Sequence, residues 1–177
     1  NVTRLVAASL EVPRGLLGFI REMKVGELGI VEVDAINSGE LPLEVLLQRL
    51  VDYAAARNLP SGWVPSTFFW LLDESGSVVA ASSLRHSLTP LLTIHGGHIG
   101  YRVKASERGK GYGTQVLALT LPHARALGLD RVLLTVDSDN ERSIHVIERN
   151  GGVMQDEGID ETTGRLHRRY WIDLAQP

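Results

Sequence analysis

Between His98 and Thr114 the chain reads H-I-G-Y-R-V-K-A-S-E-R-G-K-G-Y-G-T. Gly109, Gly111 and Gly113 follow a short β-branched and aromatic run and precede a helical pattern. A glycine-rich turn between a strand and a helix can aim several backbone N–H groups at one point. The helix N-terminus adds its positive dipole end. Arg102, Lys104, Arg108 and Lys110 stand within nine residues, against Glu107 alone. This is chemistry for a phosphorylated ligand. A Walker loop does not fit, because Gly111 follows Lys110 and no glycine stands five before Gly109. A dinucleotide fingerprint fails in both registers: its sixth position is Thr114 counted from Gly109, and Val116 counted from Gly111. Taken alone, the six residues also fit an ordinary surface turn.

The elements around this loop can be read in order. Residues 2–12 read as a strand ended by Pro13, and 14–23 as a helix with Leu16, Leu17, Ile20 and Met23 on one side. Residues 26–41 read mostly as loop, although I-V-E-V-D alternates like a strand. Pro42 and Glu44 open a helix with an apolar stripe from Leu43 to Ala54, stopped by Asn58 and Pro60. Strands at 67–72 and 78–84 form a hairpin through Asp73-Glu74-Ser75-Gly76. Residues 85–97 connect to the strand 99–103. After the loop come a helix from Tyr112 to Gly128 with Pro122 inside it and a doubly buried strand at 131–136. A helix capped by Asp139 or Asn140 follows, then strands at 153–157 and 166–174.

Arg108, Gly111 and Gly113 fit the pattern Arg/Gln-x-x-Gly-x-Gly/Ala. Here the chain resembles the acyl-CoA pyrophosphate loop of the GNAT superfamily of N-acetyltransferases. The element order and the Asn140-Glu-Arg-Ser143 helix start extend the resemblance over essentially the whole chain. The resemblance implies an α/β GNAT fold, with a mixed central sheet of about seven strands and helices on both faces, as a single domain over residues 1–177. It implies acetyl-CoA as cosubstrate, no metal, and direct transfer of acetyl to a primary amine in a ternary complex. Arg108, Gly109, Lys110, Gly111, Tyr112, Gly113 and Thr114 would hold the pyrophosphate. Tyr101, Arg102 and Val103 would pair with the pantetheine arm, and Asn140 would contact it from the next helix while also serving as an N-cap.

The proton-moving residues depart from the family pattern. The usual acidic tyrosine position holds Ile147, the usual base position holds Gly97, and the frequent Gly-Phe is Gly151-Gly152. Substitute candidates are His98, His145 and Glu32, with Asp34 near the last; a solvated or structural role explains each better, and a water relay fits equally. The departures leave a rival reading, an acyl-CoA-binding sensor or interaction module. His95 and His98 lack a third ligand for zinc.

The resemblance places the acceptor, a small-molecule or peptide amine, between residues 26–41 and 156–164. Glu27, Glu32, Asp34, Glu40, Asp156, Glu157, Asp160 and Glu161 lie there. They suggest a cationic acceptor, or are ordinary loop charge answered by Arg165, His167, Arg168 and Arg169. Trp63, Phe68, Phe69 and Trp70 are wall candidates that core packing explains better.

Composition sets outer bounds. Across 177 residues, 44% apolar content supports a real core, and a net charge of −3 argues against nucleic acid or membrane partners. With no cysteine, disulfides, thiolate metal sites and a cysteine nucleophile are excluded. No apolar run approaches the ~18 residues of a membrane span, and no signal-peptide pattern is visible. A cytoplasmic protein, as a monomer or homodimer, is the expectation.

Overall fold

A computed structural model describes residues 2–174. Asn1 and residues 175–177 of the expected domain lie outside the described residues. Four antiparallel strands stand in the order β1 (Arg4–Ala7), β2 (Ser66–Leu72), β3 (Val78–Arg85), β4 (Ile99–Val103). Three more stand in the order β5 (Arg131–Asp137), β7 (Arg165–Asp173), β6 (Val153–Asp160), also antiparallel. Among the described residues the strands total seven, the number expected, but the hydrogen-bond ladders divide them into two sets instead of one continuous layer. His98 joins the sets. Its N–H donates to the Leu133 carbonyl at 2.8 Å, and the Leu133 N–H donates to its Nδ1 at 2.9 Å. Beyond that point β4 and β5 share no ladder, so a gap opens along β4.

Period-two alternation sends the two faces of β2 and β3 to different helices. Phe68, Trp70 and Ala81 pack with α1 (Leu16–Arg21), α2 (Val33–Asn37) and α3 (Leu43–Ala54). The i, i+1, i+4 set Leu46, Leu47 and Leu50 is fully buried there, worth ~2 kcal/mol per side chain. On the other face, α5 (Tyr112–Ala126) lays Val116 against Leu71, Val79 and Ala80. Leu117 and Ala124 reach Leu84 and Ile99 of the first set and Val132 and Leu134 of the second, so one core spans both. Buried Ser82 and Thr120 satisfy one another at 2.7 Å, and Thr120 also donates to the Val116 carbonyl.

Several boundaries differ from those read in the sequence. Pairing confines β1 to Arg4–Ala7 instead of 2–12. Within 26–41 the chain makes a 3₁₀ turn, Glu27–Gly29, and then α2, whose Val33 and Ile36 are buried at helical spacing. A short helix, α4 (Pro90–Ile94), lies in the 85–97 connection, with Pro90 in its first turn and the Thr89 side chain accepting from the Leu92 N–H. Strand β6 runs on to Asp160 because β7 pairs with it to the hairpin end. Pro122 sits inside α5 without ending it.

Candidate active site

The glycine loop ends where α5 begins. Gly109 and Gly111 both take left-handed backbone (φ 80° and 86°), which only glycine adopts freely. A Cβ at Gly113 would stand 3.2 Å from Val146 and 3.6 Å from Val103, so its absence lets α5 close on β4 and on α6 (Glu141–Arg149). Among the described residues, the N–H groups from Gly109 to Thr114 have no backbone partner; Gln115 is the first to bond back, to the Gly111 carbonyl. These donors open on a cleft of about 610 Å³ between the loop, the open edge of β4 and the start of α6.

All the residues expected to bind the cofactor line this cleft except Lys110, which pairs with Glu107 of its wall at 2.7 Å. Lys104 donates to the Val79 carbonyl at 2.8 Å, and the alternation of an antiparallel ladder then turns the N–H groups of Tyr101 and Val103 toward the gap. The Arg102 side chain is held by neighbouring groups. Its Nη1 meets Glu27 at 2.6 Å and its Nη2 donates to the Glu22 carbonyl, which ties the 22–29 segment to the sheet. Asn140 caps α6 by accepting from the Ser143 N–H at 3.2 Å and still faces the cleft. Arg142 and Arg149 also line it. Sequence reading missed both, although with His145 they follow the i, i+3, i+7 spacing of one helix face.

A second cleft, of about 530 Å³, lies beyond the gap. Its walls include Ser83, Arg85, His95, Gly100, Asp137 and Thr135. Asn140 and Ser143 line both clefts. The Tyr101 hydroxyl reaches this junction, 2.5 Å from Ser143 Oγ and 3.1 Å from the Ser143 carbonyl. Burial pushes its pKa up to about 12, against the lowering effect of Ser143, so it stays protonated at neutral pH. On the far wall, His95 Nδ1 stands 2.6 Å from Asp160 Oδ2, off hydrogen-bond alignment. Asp160 is fully buried. Burial pushes its carboxyl up, but the Thr162 N–H, His95 and His167 together hold it below its usual value.

The proposed proton-moving side chains are scattered. His145 lines the first cleft, on the cofactor side. Glu32 lines neither; it pairs with Arg49 at 2.8 Å. His98 lines neither, is 5% exposed, and its Nδ1 is occupied by Leu133. Burial, aided by the Arg85 charge, holds its pKa down at about 4. That lies below the unfolded value of ~6.5, so the unfolded chain binds a proton that the folded chain refuses. Stability is therefore full above pH ~6.5 and is lost as pH falls toward 4. Denaturant titrations at pH 7 and pH 5 should show this loss, and His98→Asn should lessen it; equal loss in both proteins would remove His98 as its source.

The two positions where the family pattern is broken have packing reasons. Ile147 is buried in the shared core. Gly97 has φ 61°, and a Cβ there would sit 2.4 Å from the Leu133 carbonyl oxygen. No acidic side chain fits at that point. Gly97→Ala should cost about 3 kcal/mol in denaturant titration; a cost under 1 kcal/mol would show that the backbone yields.

Several of the acids flanking the clefts pair with arginines. Asp156 pairs with Arg169, Glu157 with Arg168 at 2.7 Å, Glu27 with Arg102, and Asp137 with Arg165 at 3.1 Å.

A family model for the acetyltransferase (GNAT) domain matches residues 42–153, and the chain belongs to that family. Membership makes it an N-acetyltransferase whose acyl donor is acetyl-CoA. Solved structures share the fold. The ribosomal-protein-S5-alanine acetyltransferase of Vibrio fischeri superposes with a TM-score of 0.71 at 15% identity, over 100% of this chain and 97% of that one. Mutant forms of the spermidine/spermine N-acetyltransferase SpeG of Vibrio cholerae give 0.62 at 17%, over 98% and 95%. The structure of yncA from Salmonella typhimurium with its cofactor acetyl-CoA gives 0.63 at 15%, over 100% and 96%. No curated protein sequence matches the chain. Among the described residues, no helix is long and apolar enough to cross a membrane.

Proposed function

We propose that the protein moves the acetyl group of acetyl-CoA directly onto a primary amine, with donor and acceptor bound together. The observation that carries this is the junction: Asn140 and Ser143 wall both clefts, so a thioester arriving along β4 meets an amine arriving from the other side. The free N–H groups of residues 109–114 hold the pyrophosphate, helped by the dipole of α5. Arg108, Arg142 and Arg149 add positive charge around the phosphates. The Tyr101 and Val103 N–H groups pair with the pantetheine arm and polarise the thioester carbonyl, where a well-placed donor is worth ~3 kcal/mol to the transition state.

The amine lone pair attacks the carbonyl carbon, and the C–N bond forms as the oxygen takes the negative charge. Collapse breaks the C–S bond, and the leaving sulfur takes a proton from the Tyr101 hydroxyl, which Ser143 adjoins. His95, held by buried Asp160, faces the acceptor cleft and takes the proton that the nitrogen sheds once the neutral amine has added to the carbonyl. Tyr101 and His95 thereby take the roles that Ile147 and Gly97 cannot.

Thermal unfolding tests the binding half. Coenzyme A should raise the melting temperature while NAD and ATP should not, and the reverse would refute the reading of the loop. Tight coenzyme A binding with no free thiol released in the presence of any amine would instead support a sensor.

A further inference from the structure

The second cleft contains a cation without a partner in charge. Arg85 is half-buried in its wall, and among the described residues it makes no ion pair. Its Nη1 donates to the carbonyls of Gly96 and Gly97, at 3.2 and 3.0 Å, which aims the guanidinium without neutralising it. Burial pushes its pKa below the usual value, a sign that the charge is poorly solvated. The one carboxylate in the cleft wall, Asp137, is already paired with Arg165.

Two residues back on the same strand, and so on the same face, stands Ser83. It is 2% exposed, and its Oγ has no hydrogen-bond partner. A buried hydroxyl left unpaired is costly and uncommon. Opposite it in the ladder is Gly100, where a Cβ would stand 3.5 Å from the Ser83 Oγ and 3.5 Å from Leu28, so a side chain at that position would cover the hydroxyl. A narrower cleft of about 220 Å³ adjoins the second, sharing Ser83, Arg85, Leu91 and Leu92 as walls. Its remaining lining is largely apolar and includes Trp63 and Phe68.

We infer that the acceptor is a free amino acid with an apolar side chain. Arg85 and Ser83 take its carboxylate, and the narrow cleft beneath Trp63 takes its side chain. The inference rests on the reading of the second cleft as the acceptor site. It deepens that reading by turning from the acidic loops to the cleft wall: among the described residues Glu27, Glu32, Asp156 and Glu157 each pair with an arginine, whereas Arg85 pairs with no acid. A guanidinium matches a carboxylate with two parallel N–H donors. A polyamine would meet Arg85 with like charge.

The test compares acceptors of one skeleton. Leucine and phenylalanine, each with its amide and its decarboxylated amine, are offered with acetyl-CoA, and thiol release gives kcat/KM; spermidine is the cationic control. The amino acids should exceed their amides and amines by about thirtyfold or more, because a site with buried polar groups rejects ligands that leave them unpaired. Ser83→Ala and Arg85→Lys should each raise KM for the amino acids by about tenfold and shrink that preference, with coenzyme A affinity unchanged. Equal or faster transfer to an amide, an amine or spermidine would overturn the inference and leave the transfer reading standing. Unchanged KM in both variants would also overturn it. No transfer to any of these acceptors, with coenzyme A still bound, would overturn both.

Discussion

Replacing Gly111 by glutamate is expected to abolish coenzyme A binding while leaving the protein folded. Gly111 is the N-cap of α5, at φ 86° and ψ 4°. A side chain there carries left-handed strain of ~1–2 kcal/mol. A Cβ at this position meets nothing within 4 Å, so the strain is not compounded by a clash in the free protein. The new carboxylate would stand among the N–H donors of residues 109–114 and occupy the place of an anion. It would also repel a pyrophosphate across a few ångströms. Together these effects should weaken coenzyme A by about a thousandfold or more, roughly 4 kcal/mol. Calorimetric titration reads it directly. Gly111→Ala separates the causes, since strain alone should cost about tenfold. Unchanged binding by the glutamate variant would move the cofactor site away from this loop.

Tyr101→Phe should cut kcat by a factor of about 100 to 1,000 while coenzyme A affinity stays within a few-fold, because a positioned proton donor contributes on that scale. The phenol lies at the meeting point of the two clefts and stays protonated because burial raises its pKa to about 12. The ring and its packing survive the substitution, so the loss would report the hydroxyl. Ser143→Ala should cut kcat by less, since Ser143 acts through Tyr101. A kcat within threefold of the unaltered protein, with coenzyme A still bound, would return the leaving-group proton to water or to another side chain.

What the sequence revealed and what it concealed follow from how local each signal is. The loop from Arg108 to Gly113 was legible because consecutive residues and their backbone make it; only Lys110 turns away, to Glu107 three residues before it. Asn140 was legible for the same reason, as a cap and a wall residue on one helix start. Residues 31–34 alternate in polarity, and the strand-like period hid the helix that buries Val33 and Ile36. The acceptor side was not legible. His95 and Asp160 meet only because the β6–β7 hairpin folds back on the connection before β4. Arg85 reads as the polar end of a strand until the fold shows that, among the described residues, no acid pairs with it. The acidic loops carry less free charge than they display for the converse reason. Their partners Arg168 and Arg169 lie across a hairpin, and pairing across strands cancels a field that a count of charges retains. His98 attracted attention by its position beside the usual base, but its ring joins two sheets.

The central claim is that the two clefts meet so that acetyl passes directly from thioester to amine. Its most direct measurement mixes protein, acetyl-CoA and a panel of amino acids and amines, and follows free thiol together with N-acetylated product by mass. The account predicts thiol and N-acetyl product in equal amounts, at a rate that Tyr101→Phe lowers and Gly111→Glu removes. Coenzyme A binding without any N-acetyl product, whatever the amine, would contradict it.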